Sequence, residues 1–245
     1  MRLDNRGMLK LLAFDTSTDH LSVAVQNGDL LIEHSGAGGA QSSTTLLPLI
    51  LQLLAQAGLT LRELDAIVFG RGPGSFTGLR TACAVAQGLG FGAGVPLLPV
   101  DTLHAVAEEA RHCFGVTRVV AVLDARMDQV YAARYVFDDQ NVDADSRNLA
   151  EVHLLAPEAL LVPPGFALAG NAFAAYGERL AAATARYPVL PTAVAMLRLA
   201  PALLAIGRSV APADAAPLYV RDKVAQTTEE RAAIKAGAVV ATALK

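Results

Sequence analysis

The sequence predicts an α/β fold of two lobes built to one plan, with mixed sheets flanked by helices, and three observations carry that prediction. An apolar run over 9–14 stops at Asp15 and leads into a hairpin, and a second over 118–123 stops at Asp124 and leads into another. Between them, Ala66-Ile67-Val68-Phe69 breaks into Gly70, Gly72 and Gly74 and opens a helix. Short apolar runs bounded by turn residues mark strands covered on both faces, and their alternation with helices marks an α/β layer architecture. The division that follows is a first lobe over 1–115, a second over 116–216, and a C-terminal segment and helix over 217–245 that packs back on the first lobe.

Taken in order, strands are expected at 9–14, 21–25 and 30–32, with Asn27-Gly28 as the hairpin signal between the last two. The stretch 36–40 reads as a flexible glycine-rich connector. Ser42 to Thr45 offer side-chain caps for a helix over 42–57, with Pro48 in its first turn or at a kink. A helix over 74–90 follows the glycines, then a strand at 96–100, a helix at 102–113 and strands at 118–123 and 129–137. Beyond a polar loop at 138–151, a strand at 166–170 precedes an alanine-rich helix over 172–185 and a helix over 193–209 that contains Pro201. A proline-punctuated linker over 211–217, an extended stretch over 218–224 and a helix over 228–244 complete the chain.

The strand–glycine–helix junction invites a phosphate-site reading, because N–H groups at a helix N-terminus attract anions. Spacing argues against the familiar versions. Gly74 is followed by Ser75-Phe76 with no Lys-Ser or Lys-Thr pair, the third dinucleotide glycine falls on Ser75, and Pro73 stands where a nucleophile elbow needs glycine. A tight turn that lets a helix pack closely is the favoured reading. Asp15, at a strand end, either holds a phosphate through a metal ion or water, or caps the turn Thr16 to Thr18; spacing favours the cap.

Two helices carry more apolar or small surface than one sheet covers. Over 42–57, Leu46, Leu47, Leu49, Ile50, Leu51, Leu53, Leu54 and Ala57 spread over more than half of the circumference, beyond the roughly 100° stripe of a one-sided helix. Over 74–90, Gly78, Ala82, Ala86 and Gly90 form a ridge with almost no bulk, suited to a close helix crossing. Either the two helices bury each other within the monomer, or they form a helix-bundle interface with another chain.

Composition narrows the classes. The 245 residues are 53% hydrophobic with a mean hydropathy of +0.39, yet the richest stretch, 81–100, is built from Ala and Gly with Gln87 and Pro96 inside, so no membrane span or signal peptide is expected and the chain reads as cytoplasmic. A net charge of −3 without a basic run lacks the footprint of a protein that grips nucleic acid unaided. Cys83 and Cys113 are isolated, and none of the five histidines has metal-pair spacing, His104 and His112 lying eight apart. No metal site and no catalytic series is expected from local motifs.

Phe14-Asp15-Thr16-Ser17-Thr18, the run 70–80, Asp124-Ala125-Arg126-Met127 before Val130-Tyr131, Gly170-Asn171 and Pro217-Leu218-Tyr219-Val220-Arg221 together resemble the bacterial TsaB (YeaZ) family of tRNA threonylcarbamoyladenosine biosynthesis proteins. The most specific segment is Gly72-Pro73-Gly74-Ser75-Phe76-Thr77-Gly78-Leu79-Arg80. The resemblance implies an actin-like, Hsp70-like ATPase (ASKHA) fold. It also implies a non-catalytic scaffold or activator that pairs with a TsaD-type catalytic subunit, is joined by a TsaE-type ATPase, and meets tRNA through that complex. A homodimer through the same helices when no partner is present is a separate expectation.

In the family the pairing uses helices of the first lobe, which places Leu46, Leu49, Ile50, Leu53, Gly78, Leu79, Ala82 and Ala86 at the expected partner interface. Asp15, Thr16, Ser17 and Asp124 fall where fold relatives hold nucleotide phosphates. The expectation is therefore no cofactor of its own, with at most weak ATP binding, because Asp124-Ala125-Arg126 lacks the glycine that such turns carry. Gln41 stands where family members have a histidine before the serine that opens the first helix. A stand-alone ATP-dependent small-molecule kinase of the same fold is the alternative, short of an adenine-side glycine pair.

Overall fold

The computed structural model describes residues 9–137, 150–181, 183 and 185–221. In the first lobe β1 (Lys10–Asp15), β2 (His20–Asn27) and β3 (Leu30–Ala37) form an antiparallel meander. Gly28, at φ 61°, turns β2 into β3. β4 (Ala66–Gly72) lies parallel to β1, with Phe14 opposite Phe69, and β5 (Leu97–Asp101) lies parallel to β4.

The second lobe repeats this plan. β6 (Arg118–Arg126), β7 (Gln129–Val136) and β8 (His153–Leu155) form the meander, and β9 (Ala167–Gly170) and β10 (Arg186–Pro188) add parallel to β6. The sheet orders β3-β2-β1-β4-β5 and β8-β7-β6-β9-β10 correspond strand for strand. Asp15 and Asp124 therefore occupy related places beside the hairpin turns.

Helices α1 (Ser42–Gln56) and α2 (Phe76–Ala93) cover one face of the first sheet over Leu12, Phe14, Val23, Val25, Ile67 and Phe69. The opposite face carries Leu11, Ala13, Ala24 and Val68, so β1 and β4 read as unbroken apolar runs because both of their faces are covered.

That opposite face is covered by α5 (Ala193–Ala205), a helix that follows the second lobe in sequence. Conversely α3 (Thr102–Phe114), which follows β5, lays Leu103, Val106, Ala107 and Ala110 on Val119, Ala121 and Leu123 of the second sheet. The lobes thus exchange their last helices. Arg198 of α5 fastens the pair, its Nε 3.0 Å from Oε1 of buried Glu108, which also takes two bonds from Arg111.

Several sequence expectations are corrected. The connector at 36–40 is β-strand as far as Ala37. No side chain caps α1: Gln41 is the N-cap, and the Thr44 and Thr45 hydroxyls donate to its carbonyl instead. The alanine-rich helix over 172–185 shrinks to α4 (Phe173–Tyr176), because Gly177 turns to φ 46° and Arg186 takes the carbonyls of Gly177, Leu180 and Ala181. α5 stops at Ala205, ahead of Gly207 at φ 74°. Strands β8 and β10 are only three residues long, too short to show an alternation. The helix expected over 228–244 and most of the 138–151 loop lie outside the described residues.

Candidate functional site between the lobes

The glycine motif of the sequence is explained by the turn that follows β1. Thr16 Oγ1 donates to the Gly78 carbonyl at 2.7 Å, and Ser17 O accepts from Ser75 N at 2.7 Å. A Cβ at Gly78 would stand 1.8 Å from Thr16 O, and one at Gly74 would stand 2.5 Å from Ser17 O. These glycines are required because the Thr16-Ser17 backbone presses onto the start of α2. Ser75 is the N-cap of α2, its Oγ 3.5 Å from Gly78 N.

Asp15 is turned inward. Its Oδ1 accepts from Ser17 N at 2.9 Å and from Ser17 Oγ at 2.6 Å, the turn-capping geometry expected from spacing. Its Oδ2 faces Gly70 and is buried without a hydrogen-bond partner among the described residues. Burial pushes the carboxyl up to about 6, against the lowering pull of the two Ser17 bonds.

Asp124 is more elaborately held. Its Oδ1 accepts from Arg126 N at 2.7 Å and lies 2.8 Å from the Tyr176 hydroxyl, and its Oδ2 lies 3.1 Å from the Arg126 guanidinium. The Asn171 side-chain oxygen accepts from Asp124 N at 2.9 Å. Burial, then the bond to Asp124, pushes the Tyr176 phenol up to about 12. Past Asp124 the chain turns through Arg126, Met127 and Asp128 at φ 60°, 53° and 59°, a left-handed run that costs roughly 1–2 kcal/mol per residue.

Between these two turns lies a cleft of about 600 Å³. Ser17, Ser75 and Phe76 line it from the first lobe, and Asp124, Tyr131 and Asn171 from the second. Of the four expected phosphate residues, Ser17 and Asp124 line the cleft, while Asp15 and Thr16 stand behind its wall. Arg126 bridges the mouth to Asp19 at 3.0 Å.

A strap over 209–221 closes one side. Val210 bridges β5, the Ala215 carbonyl accepts from Gln87, Leu218 N donates to Arg71 O, and Arg221 reaches the Ala125 carbonyl of the opposite lobe at 3.0 Å. Tyr219 takes a 2.9 Å bond from Arg80 Nε, and that guanidinium lies 3.7 Å over the Phe76 ring. Arg126 belongs to a motif of the sequence but was given no role there, and nothing local in the chain marks Tyr176.

The expected partner-interface residues need correction. Leu46, Ile50, Leu53, Gly78, Leu79, Ala82 and Ala86 are buried by the chain's own atoms, and Leu49 is partly so. They form the inner side of α1 and α2. The small ridge of α2 lets the turn after β1 and the strap approach: a Cβ at Gly90 would meet Leu97 and Pro212 at 2.9 Å. What stays uncovered is the outer side, where Leu47 and Leu51 of α1 are 42% and 50% exposed and Ala84 and Gly88 of α2 are open to solvent.

A family model described as "TsaD: tRNA N6-adenosine threonylcarbamoyltransferase" matches residues 37–229. The chain is 32% identical over 223 residues to the tRNA threonylcarbamoyladenosine biosynthesis protein TsaB of Escherichia coli (strain K12), covering 89% of this chain and 96% of that protein. It is 34% identical over 224 residues to the TsaB of Haemophilus influenzae, covering 88% and 95%. The solved structure of YeaZ from Pseudomonas aeruginosa superposes with a TM-score of 0.79 at 37% identity, covering 87% of this chain and 100% of that one. The chain belongs to the TsaB (YeaZ) family.

As a TsaB-family chain it has the two-lobed ASKHA-like fold expected from the resemblance, and the segment 72–80 is the glycine loop that receives the turn after β1. Among the described residues of this TsaB-family chain, no group of three His, Cys, Asp or Glu could hold a metal ion, and no helix is long and apolar enough to cross a membrane.

Proposed function

We propose that this chain is a non-catalytic scaffold and activator subunit of the cytoplasmic complex that forms N6-threonylcarbamoyladenosine beside the anticodon of tRNAs. It pairs with a TsaD-type catalytic subunit through the outer side of α1 and α2, and a TsaE-type ATPase joins that pair. The observation that carries this reading is TsaB-family membership over nearly nine-tenths of the chain, combined with an apolar strip that the monomer leaves in water. A patch of this kind, rimmed by Thr44, Thr45, Gln52 and Thr77, suits a protein interface. With a net charge of −3, contact with tRNA is made through the complex. Alone, the chain forms a homodimer through the same strip.

The test is affinity capture with a TsaD-type partner and measurement of threonylcarbamoyladenosine formed by the reconstituted complex. Leu51→Glu and Gly88→Glu are accommodated in the monomer, since nothing lies within 4 Å of a Cβ at Gly88, and each should abolish capture and product. Capture undiminished in both variants would place the partner elsewhere. The kinase alternative is not favoured: Gly170 lies against Val122, a Cβ there standing 1.7 Å from its carbonyl oxygen, and offers no open adenine-side glycine.

A further inference from the structure

We propose that Arg80 is the anchor for an acidic side chain, the carboxylate of an Asp or Glu, on a helix of the partner that covers the outer side of α2. This role rests on the pairing through α1 and α2 proposed above and names what the partner must bring to it.

Arg80 is the one charged residue in α1 and α2, and it stands on the exposed stripe. At about 100° per residue, Arg80, Ala84, Gly88 and Phe91 fall within an arc of roughly 80° on the side of α2 that faces away from the sheet. Phe91 is 63% exposed. Small residues at Ala84 and Gly88 let a second helix approach closely. Arg80 and Phe91 are the two bulky side chains of the stripe, about 16 Å apart along the axis. A helix laid along α2 therefore meets a cation at one end, a smooth middle and an aromatic ring at the other end.

The guanidinium is held ready for an anion. Its Cζ lies 3.7 Å over the Phe76 ring and 5.9 Å from that of Tyr219, and its Nε donates to the Tyr219 hydroxyl at 2.9 Å. The two terminal nitrogens have no acceptor among the described residues. A partner laid on the stripe sheds the water around Arg80, and a charge left dry and unpaired is costly, so the covering surface has to supply the opposite charge. A carboxylate meets Nη1 and Nη2 through two parallel N–H···O bonds. Stacking on Phe76 fixes the fork beforehand, so less side-chain freedom is lost when those bonds form. A tRNA phosphate is the other anion that a guanidinium takes. The small and aromatic residues in line with Arg80 favour a protein surface, where Arg and aromatic side chains are enriched, and the net charge of −3 disfavours nucleic acid.

Surface plasmon resonance of the full chain against a TsaD-type partner, run over a range of salt, tests this. Arg80→Ala should weaken binding about tenfold or more and flatten its salt dependence, Arg80→Lys should recover only part of the loss, and Arg80→Glu should bind weakest. Tyr219→Phe removes the bond to Nε and keeps the ring, and should stay within about threefold of the parent. A loss in Tyr219→Phe as large as in Arg80→Ala would mean that Arg80 acts by holding the strap, and would overturn the proposal. Replacing the acidic residues of the partner's docking helices by Lys, one at a time, should give one variant that binds the parent chain poorly and Arg80→Glu well; rescue by none would overturn it too. If Leu51→Glu loses binding while folded Arg80→Ala keeps the parent affinity, the carboxylate anchor fails and the pairing stands. If Leu51→Glu and Gly88→Glu both keep it, the pairing through this side fails and the anchor with it. Parent affinity for the partner in Arg80→Ala, with weaker tRNA binding by the assembled complex, would assign the guanidinium to a phosphate instead.

Discussion

A Cβ on Gly70 would stand 1.8 Å from Asp15 Oδ2, so the carboxyl at the end of β1 and the glycine of β4 share one space. Gly70→Ala should cost more than about 3 kcal/mol, since the added methyl forces a buried carboxyl out of its place beside Ser17 and itself meets Met196 Cε at 3.0 Å. Urea unfolding would read the loss. A variant as stable as the parent would show that the Asp15 side chain can swing away freely.

Asp15 also sets a pH dependence. With its carboxyl raised to about 6, the folded chain holds the proton more tightly than the unfolded chain. Its contribution is complete below about pH 4 and is lost as the pH rises through 6. Asp15→Asn should therefore match the parent near pH 4 and exceed it by about 1–3 kcal/mol at pH 8. Chemical unfolding at both pH values checks the sign, and an Asn variant weaker than the parent at pH 8 would mean that the Ser17 bonds outweigh burial.

Two substitutions on α2 separate its inner and outer sides. Ala86→Glu places a charge in the core between α2 and the first sheet and should cost several kcal/mol, on the order of 3–5. Gly88→Glu, on the open side, should change stability by no more than about 0.5 kcal/mol. Thermal melts of the two variants side by side decide the matter; equal losses would contradict the assignment of faces.

Glu108 is 2% exposed and depends on Arg111 and Arg198. Arg198→Ala takes one of the three bonds from that carboxylate and the bond to Glu109 and should destabilise by about 2–4 kcal/mol, while Arg198→Leu with Glu108→Leu should recover part of the loss. A double variant no better than the single one would show that the ion pair, and not the burden of an orphaned charge, holds α3 to α5.

How far the fold was legible follows the length of each signal. The repeated strand–acid–hairpin plan stood out because β1, β2, β6 and β7 are six to nine residues long and apolar. β8 and β10 offered three residues each, and α4 was overstated because an alanine run gives no warning that Arg186 will claim its carbonyls. The apolar and small residues of α1 and α2 are plain in the sequence. The assignment of an uncovered face to Leu46, Ala82 and Ala86 failed because periodicity alone does not say which side of a helix meets the sheet. Around the cleft, Asp124 and, behind the wall, Asp15 are legible as strand-end acids, whereas Tyr176 comes from 52 residues beyond Asp124 and leaves no trace in local spacing.

The exchange of α3 and α5 means that the duplicated halves are not separable modules. A polypeptide severed after Gly115 would take away the helix that roofs the second sheet and lack the one that roofs its own. Melting should accordingly be a single cooperative event for both lobes.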